Sequence, residues 1–265
     1  MNKVKLILQI AKIKYKSCTV YKTSNINGII VNSFWMMIQI HVLSAFISNG
    51  ISSLTVEQGM GYVILTEAML MITGVSGSLG GIDIDDLIKS GNIIFYFTNP
   101  VGFVGYLFGM EMGRMLYYLI WRFLPLLIIG IFLFKWYPNV YIEKMICFTI
   151  SILIGLIIAN EIQFIIVMIA IRNNTSMGIM DLVMAIELFF SGGLLPLSLF
   201  PDWLYKLSVY LPFSAQIYLP VTIILETEGN ISNKIIVEVT WACILFVFSY
   251  WIYLLERKKI YVQGG

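Results

Sequence analysis

Six apolar runs of about 20 residues or more, separated by short polar segments, dominate this 265-residue chain. An α-helix needs about 20 apolar residues to cross the hydrocarbon core of a bilayer, so each run is long enough for one crossing. Hydrophobic residues make up 59% of the chain and charged residues only 12%, which excludes an ordinary soluble domain. The sequence therefore predicts an all-α, polytopic integral membrane protein of about six spans, near 26–48, 60–81, 115–136, 145–171, 178–199 and 235–255.

Lysines and arginines are distributed unevenly between the two sides of these spans. Such residues concentrate in the cytoplasmic loops of membrane proteins. The richer side carries Lys3, Lys5, Lys12, Lys14, Lys16, Lys22, Lys89, Arg114, Arg172, Arg257, Lys258 and Lys259, and the opposite side carries Lys135, Lys144, Lys206 and Lys234. Both termini are therefore expected in the cytoplasm.

Residues 1–24 are predicted to form an amphipathic helix at the inner surface of the membrane. Apolar side chains recur there at three- and four-residue spacing, flanked by lysines that can reach lipid phosphates: Val4, Ile7, Leu8, Ala11, Tyr15 and Cys18. Two interpretations stay open at this stage. The helix is either a positively charged anchor or one that also packs against a cytoplasmic partner.

The long inner loop at 82–104 is predicted to carry a short exposed helix. Asp83 is a suitable N-cap, the aspartates that follow suit the first turn, and Gly91 is a plausible stop. Apolar side chains on such a helix indicate a docking surface, formed by Asp83, Asp85, Asp86, Leu87, Ile88, Lys89, Ser90 and Gly91.

Residues 191–220 interrupt the apolar pattern before the last span. Glycines and prolines break a helix, and the polar and aromatic residues between them suit a membrane surface: Gly192, Gly193, Pro196, Pro201, Asp202, Trp203 and Pro212. Broken backbone at membrane depth is tolerated only where protein or a water-filled cavity satisfies its polar groups. The segment therefore predicts a pathway or a gate.

Polar side chains inside the predicted spans are expected to face protein or water, because they are costly in lipid: His41, Glu67, Arg122, Glu161, Gln163 and Glu187. The first two share one depth, and the arginine and the last two carboxylates share another, so pairing within each group is geometrically possible. These side chains either form buried pairs or line a translocation path. Asp181 and Glu238, near span ends, are expected to be solvated.

No enzymatic constellation is apparent in the sequence. The single histidine rules out a two-histidine metal site, no H-E-x-x-H or G-x-S-x-G occurs, and the three cysteines are scattered. The glycine-rich stretch at 74–81 has no lysine and is not a phosphate loop. A proton-coupled secondary carrier that uses the buried carboxylates remains an alternative. A membrane enzyme that uses the loop aspartates is a further one.

Two motifs carry a resemblance to a known family. Residues 88–91 read I-K-S-G and are followed by Asn99-Pro100, and residues 193–204 read G-L-L-P-L-S-L-F-P-D-W-L, continued by Leu211-Pro212-Phe213 and Pro220. The chain resembles an ABC-2-type transporter permease, of the small six-span subfamily of antibiotic or multidrug exporters. Asn99 departs from the arginine that this family generally has before the proline.

The resemblance implies a permease subunit in the cell membrane that binds no cofactor and is not itself an enzyme. A second permease chain, identical or homologous, would complete the translocation path. Two cytoplasmic ATPase subunits, which bind ATP and Mg²⁺, would drive it through the loop at 82–104. The segment at 191–220 would be a partly re-entrant outer gate, and the second and fifth spans would border the path.

Overall fold

The structure, a computed structural model, describes residues 3–20, 22–50, 54–73, 86–87, 90, 92–138, 140–173, 177–225 and 230–257. Throughout these residues the chain forms helices and turns and no strand, which confirms the all-α fold class. The α-helices are α1 (Lys3–Cys18), α2 (Lys22–Ser48), α3 (Val56–Thr73), α4 (Ile93–Phe97), α5 (Gly102–Tyr118), α6 (Leu124–Phe134), α7 (Ile142–Asn173), α8 (Met177–Phe190), α9 (Asp202–Val209), α10 (Tyr218–Leu225) and α11 (Ile231–Glu256).

Four helical stretches of the described chain are long and apolar enough to cross a membrane: Thr23–Ser48, Gly102–Phe134, Ile142–Asn173 and Ile231–Glu256. They correspond to the predicted first, third, fourth and sixth spans. Helix α3 covers the first part of the predicted second span, and residues 74–81 lie outside the described residues.

The helix that contains the predicted third span begins before residue 115. A continuous helical stretch begins at Gly102, passes through one π-helical turn at Leu119–Phe123, and ends at Phe134 before the left-handed Lys135. Pro125 has no N–H to donate to the preceding turn, and the π turn just before it accommodates that loss. The helical stretch from Gly102 to Phe134 is also longer than one crossing requires. Its 33 residues span about 50 Å, against about 30 Å of hydrocarbon.

The helix of the predicted fifth span ends before residue 199, at the break that the glycines predict. Helix α8 ends at Phe190, after 14 residues that extend only about 21 Å, less than the thickness of the hydrocarbon core. The chain then turns through Gly192, whose φ of +80° suits only a residue without a side chain. A membrane crossing by this part of the chain would therefore have to include the break.

Helix α3 occupies the middle of the molecule and positions the break. It packs against α2, α6, α7 and α10, and Ile64, Ala68, Met69 and Ile72 on it are fully buried. Helices α7 and α11 form a second pair, and α10 packs against α3 and α7. The segment after the break is thus held between α3 and α7.

Candidate functional site

The break after α8 is fixed by hydrogen bonds to two distant parts of the chain. The hydroxyl of Tyr62 on α3 donates to the carbonyl oxygen of Gly192 at 2.7 Å. The backbone N–H of Tyr218 donates to the carbonyl oxygen of Ser191 at 3.1 Å. Tyr62 and Tyr218 are themselves neighbours, with ring centroids 6.2 Å apart. The non-helical backbone is therefore satisfied by protein, as membrane depth requires.

Beyond the break, the chain passes to an exposed helix and then returns to the interior. Pro196 is buried and precedes a 3₁₀ turn at Leu197–Leu199, while Pro201 precedes α9, where Asp202 and Trp203 are exposed. Pro212 is buried at the return, and a second 3₁₀ turn at Ser214–Gln216 packs against α7. The predicted segment 191–220 ends inside α10, which continues to Leu225.

Buried polar side chains surround this segment. Glu187, one turn before the break, is 2% exposed and lies beside the fully buried Gln216 of the returning turn. Glu67 on α3 is 1% exposed and lies beside Gln39 of α2. Gln39 also lines a small cleft between α2, α3 and residues 193–196. Carboxylates and amides from four parts of the chain thus approach the break.

Several polar atoms in this region have no hydrogen-bond partner among the described residues: Thr66 Oγ1, Glu67 Oε1, Glu187 Oε2, Gln216 Oε1 and Gln216 Nε2. Gln163 Oε1 on α7 is a further buried atom without a partner among them. Buried polar groups in proteins are nearly always hydrogen-bonded, and those left over mark places where water or a ligand is accommodated. We therefore take the polar surroundings of the break as the candidate functional site. Gln216, which sequence reasoning missed, is a polar residue in the apolar stretch from 211 to 225.

The pairs expected from equal depth do not form in the described structure. His41 is exposed, with its Nδ1 2.7 Å from the carbonyl oxygen of Met37, whereas Glu67 is buried beside Gln39. Arg122, Glu161 and Glu187 have different neighbours, which are Asn25, Ser249 and Gln216 respectively. The guanidinium of Arg122 donates from Nε to Asn25 Oδ1 at 2.9 Å and lies 4.2 Å from the Tyr118 ring centroid.

A buried ion pair near the start of the third span was not anticipated. Arg114 and Glu111 on α5 are 3% and 1% exposed, and Arg114 Nε donates to the two carboxylate oxygens at 2.9 and 3.0 Å. Sequence reasoning placed Arg114 in an inner loop, which was wrong. The i, i+3 spacing of an acidic and a basic residue was the available signal.

Helix α1 packs along α5 through a row of glycines. Gly105, Gly109 and Gly113 face α1, and a Cβ at Gly109 would lie 3.0 Å from the carbonyl oxygen of Ile7. A Cβ at Gly113 would overlap the carbonyl group of Ala11. Small residues four apart allow two helix backbones to approach this closely. The G-x-x-x-G-x-x-x-G pattern was present in the sequence and was missed.

The family model described as "ABC-2 family transporter protein" matches residues 57–259. The chain belongs to this family. The match covers the break, the buried carboxylates and α5, and it confirms the resemblance drawn from the two motifs. Comparison with curated proteins gives no significant match. An ABC-2 family chain is the membrane permease component of an ABC transporter and is not the catalytic subunit.

The loop of this ABC-2 permease that was predicted to form a docking surface is described only in part. Asp86 is exposed and Leu87 half-buried on one helical turn, and the hydroxyl of Ser90 donates to the carbonyl oxygen of Asp86 at 2.6 Å. The remaining predicted docking residues, Asp83, Asp85, Ile88, Lys89 and Gly91, lie outside the described residues.

Asn99, which departs from the family motif, has a structural role in the permease. Its side-chain Oδ1 accepts a hydrogen bond from the N–H of Val101 at 3.2 Å, and its carbonyl oxygen accepts one from Gly102 at 2.8 Å. Asparagine forms such turns through its own side chain. Asn99 therefore begins the turn that leads into α5.

The expectation that Glu238 is solvated was wrong. Glu238 on α11 is fully buried, and the hydroxyl of Ser151 on α7, also fully buried, donates to its Oε1. Lys234 lies nearby on the same helix. Asp181, by contrast, is exposed. A hydrogen bond, which we call the polar link, thus joins α7 to α11 at a position where the sequence predicted a solvated carboxylate.

The Ser151→Ala variant is expected to lower the free energy of unfolding by about 1–3 kcal/mol, because Glu238 keeps its burial and loses its donor. Thermal unfolding in detergent measures the change. Thr149→Ala is the control on the same helix, since the exposed Thr149 bonds only to the carbonyl of Met145, and it should shift stability by less than about 0.5 kcal/mol. Equal effects at the two positions would contradict the role of the link.

Proposed function

We propose that this chain is the translocation subunit of an ABC exporter in the plasma membrane, with both termini in the cytoplasm. A second permease chain completes the path, and two cytoplasmic ATPase subunits, which bind ATP and Mg²⁺, drive it. The single observation that carries the proposal is the family match over residues 57–259.

The geometry of the break supports a path along α3 and α8. Glu67 and Glu187 are buried on these two helices, and Gln39 and Gln216 accompany them from α2 and the returning turn. Buried polar groups with unused hydrogen-bonding atoms suit a route that a partly hydrated solute follows. In this proposal, the segment from Gly192 to Pro212 closes the outer end of that route.

In this proposal, the cytoplasmic end of the permease is coupled to the ATPase subunits. In this proposal Leu87 belongs to the loop that receives the ATPase, and α1 packs closely against α5 at Gly109 and Gly113. α5 continues through the π turn into α6. A displacement of the inner end of α5 therefore moves α5 and α6 together and is transmitted to the membrane interior. We propose that this continuity carries the conformational change.

The first test is whether an ATP-binding subunit co-purifies with the full chain in mild detergent, and whether transport in proteoliposomes requires both proteins and ATP. Transport by the chain alone, in vesicles without nucleotide, would refute the proposal in favour of a secondary carrier. Inside-out vesicles that accumulate solute, where right-side-out vesicles do not, would establish the export direction.

Coupling is tested by the Leu87→Asp variant. We expect ATP hydrolysis to persist while ATP-dependent transport falls about tenfold or more, since coupling free energies are typically 1–3 kcal/mol. Val56→Asp is the matched control. Val56 is also an accessible apolar residue (39% exposed), and it lies at the start of α3, whereas the loop at 82–104 follows the end of α3. If both variants uncouple equally, the loop has no special role.

A further inference from the structure

A cavity of about 360 Å³ opens between α5, α7 and α11. Its walls come from the first two turns of α5, the middle of α7 and the last third of α11. Its lining includes no residue of α2, α3, α8 or the broken segment, so it is separate from the proposed path. The proposed translocation path therefore does not explain this cavity.

One carboxylate faces this cavity. Glu161 on α7 is half-buried, and the buried Ser249 on α11 lies beside it. The described lining contains no lysine or arginine. Arg257 lies eight residues beyond Ser249, about 12 Å along α11, with its guanidinium carbon 5.8 Å from the Tyr253 ring centroid. The charge of Glu161 is thus not offset from within the described cavity.

Aromatic residues form half of the remaining wall: Phe103, Phe108, Phe164, Phe246, Tyr250 and Tyr253. A carboxylate among aromatic faces attracts a cation twice, through its charge and through the negative faces of the rings. Hard metal cations prefer six or more oxygen ligands, which this wall does not provide. The combination favours an organic cation with an apolar body.

We propose that the α5–α7–α11 cavity binds a free monovalent amphiphilic cation, with its charged centre at Glu161 and its apolar groups against the aromatic rings. A zwitterionic phospholipid fits less well, because its phosphate would find no basic side chain in the described lining. Binding at this cavity does not depend on transport or on the ATPase partner.

The test uses the purified full chain in detergent, with equilibrium dialysis of labelled tetraphenylphosphonium. Its control ligand is tetraphenylborate, an ion of the same shape and opposite charge. We expect saturable binding of the phosphonium at about one per chain, and for the borate only the uptake seen in empty micelles. Equal binding of the two ions would overturn the proposal.

Glu161→Gln is expected to weaken phosphonium binding about tenfold or more, because it removes the charge and keeps the shape. Glu143→Gln on the same helix is the control, since Glu143 is exposed and distant from the cavity, and it should bind like the original chain. Unchanged affinity in Glu161→Gln would also overturn the proposal.

A second variant guards against a folding defect at Glu161. Val104 lines the cavity and is 40% exposed, so Val104→Trp fills the space from its open side. We expect it to reduce phosphonium binding comparably while thermal unfolding stays unchanged. Displacement of the phosphonium by phosphatidylcholine at equal concentration would assign the cavity to a lipid and refute the proposal.

Discussion

Replacing Gly192 by alanine is expected to lower the free energy of unfolding by about 2–4 kcal/mol and to abolish ATP-dependent transport. An alanine at φ +80° is strained by about 1–2 kcal/mol. Its Cβ would also lie 2.5 Å from the Tyr62 hydroxyl and 3.3 Å from the Tyr218 ring. Tyr62 is buried, so it moves only by losing its hydrogen bond to residue 192, which adds about 1 kcal/mol.

Two comparison variants separate these contributions. Gly178 lies on α8, the helix that precedes the break, and a Cβ there would meet nothing within 4 Å, so Gly178→Ala should be neutral or stabilised by up to about 1 kcal/mol. Tyr62→Phe removes only the hydrogen bond and should cost about 1 kcal/mol. Thermal unfolding and transport are measured for all three. A Gly192→Ala chain that behaves like Gly178→Ala would show that the break is not fixed as described.

Most of the fold was predictable from the length and apolar character of the runs, because a bilayer leaves helices as the main solution. The errors concern helices that include residues other than the apolar ones expected in a membrane-spanning segment. Helix α5 includes Arg114, which was predicted to lie in an inner loop, yet its charge is neutralised within one turn by Glu111. The end of α8 at Phe190 agrees with the helix break predicted at Gly192.

The candidate site was predictable in part, for a geometric reason. Sequence gives the depth of a residue along its helix but not the direction it faces. Glu67 and Glu187 were identified as candidates, and both are buried near the break. His41 shares the depth of Glu67 but is exposed. Gln216 could be placed beside Glu187 only by the return of the chain after Pro212, a tertiary contact.

The same limit explains the error at Glu238. A carboxylate near a span end is solvated only if its face of the helix is free. Helix α11 turns that face toward α7, where Ser151 supplies a donor. A single sequence contains no direct information about which neighbour a helix face meets.

The glycine row on α5 yields the second large effect. A Cβ at position 113 would overlap backbone atoms of Ala11, which cannot move without displacing α1, so Gly113→Ala is expected to release α1 from α5 and cost about 1–3 kcal/mol. At position 109 the closest backbone atom is 3.0 Å away, and at 105 the Ile7 side chain is 3.5 Å away. The destabilisation should therefore increase in the order Gly105→Ala, Gly109→Ala, Gly113→Ala, as thermal unfolding in detergent can measure.

Cys18 at the end of α1 reports directly on this release. Burial raises the pKa of its thiol, and nearby Lys14 and Arg114 oppose that shift. Because the thiolate is the reactive form, release of α1 lowers the pKa towards its ordinary value and accelerates maleimide labelling at neutral pH. With Cys147 and Cys243 replaced by serine, labelling should be fastest in Gly113→Ala and unchanged in Gly105→Ala. Equal labelling rates across the series would mean that the glycines do not hold α1 against α5. In that case, coupling of the inner end of α5 to the loop at 82–104 would have to use other contacts.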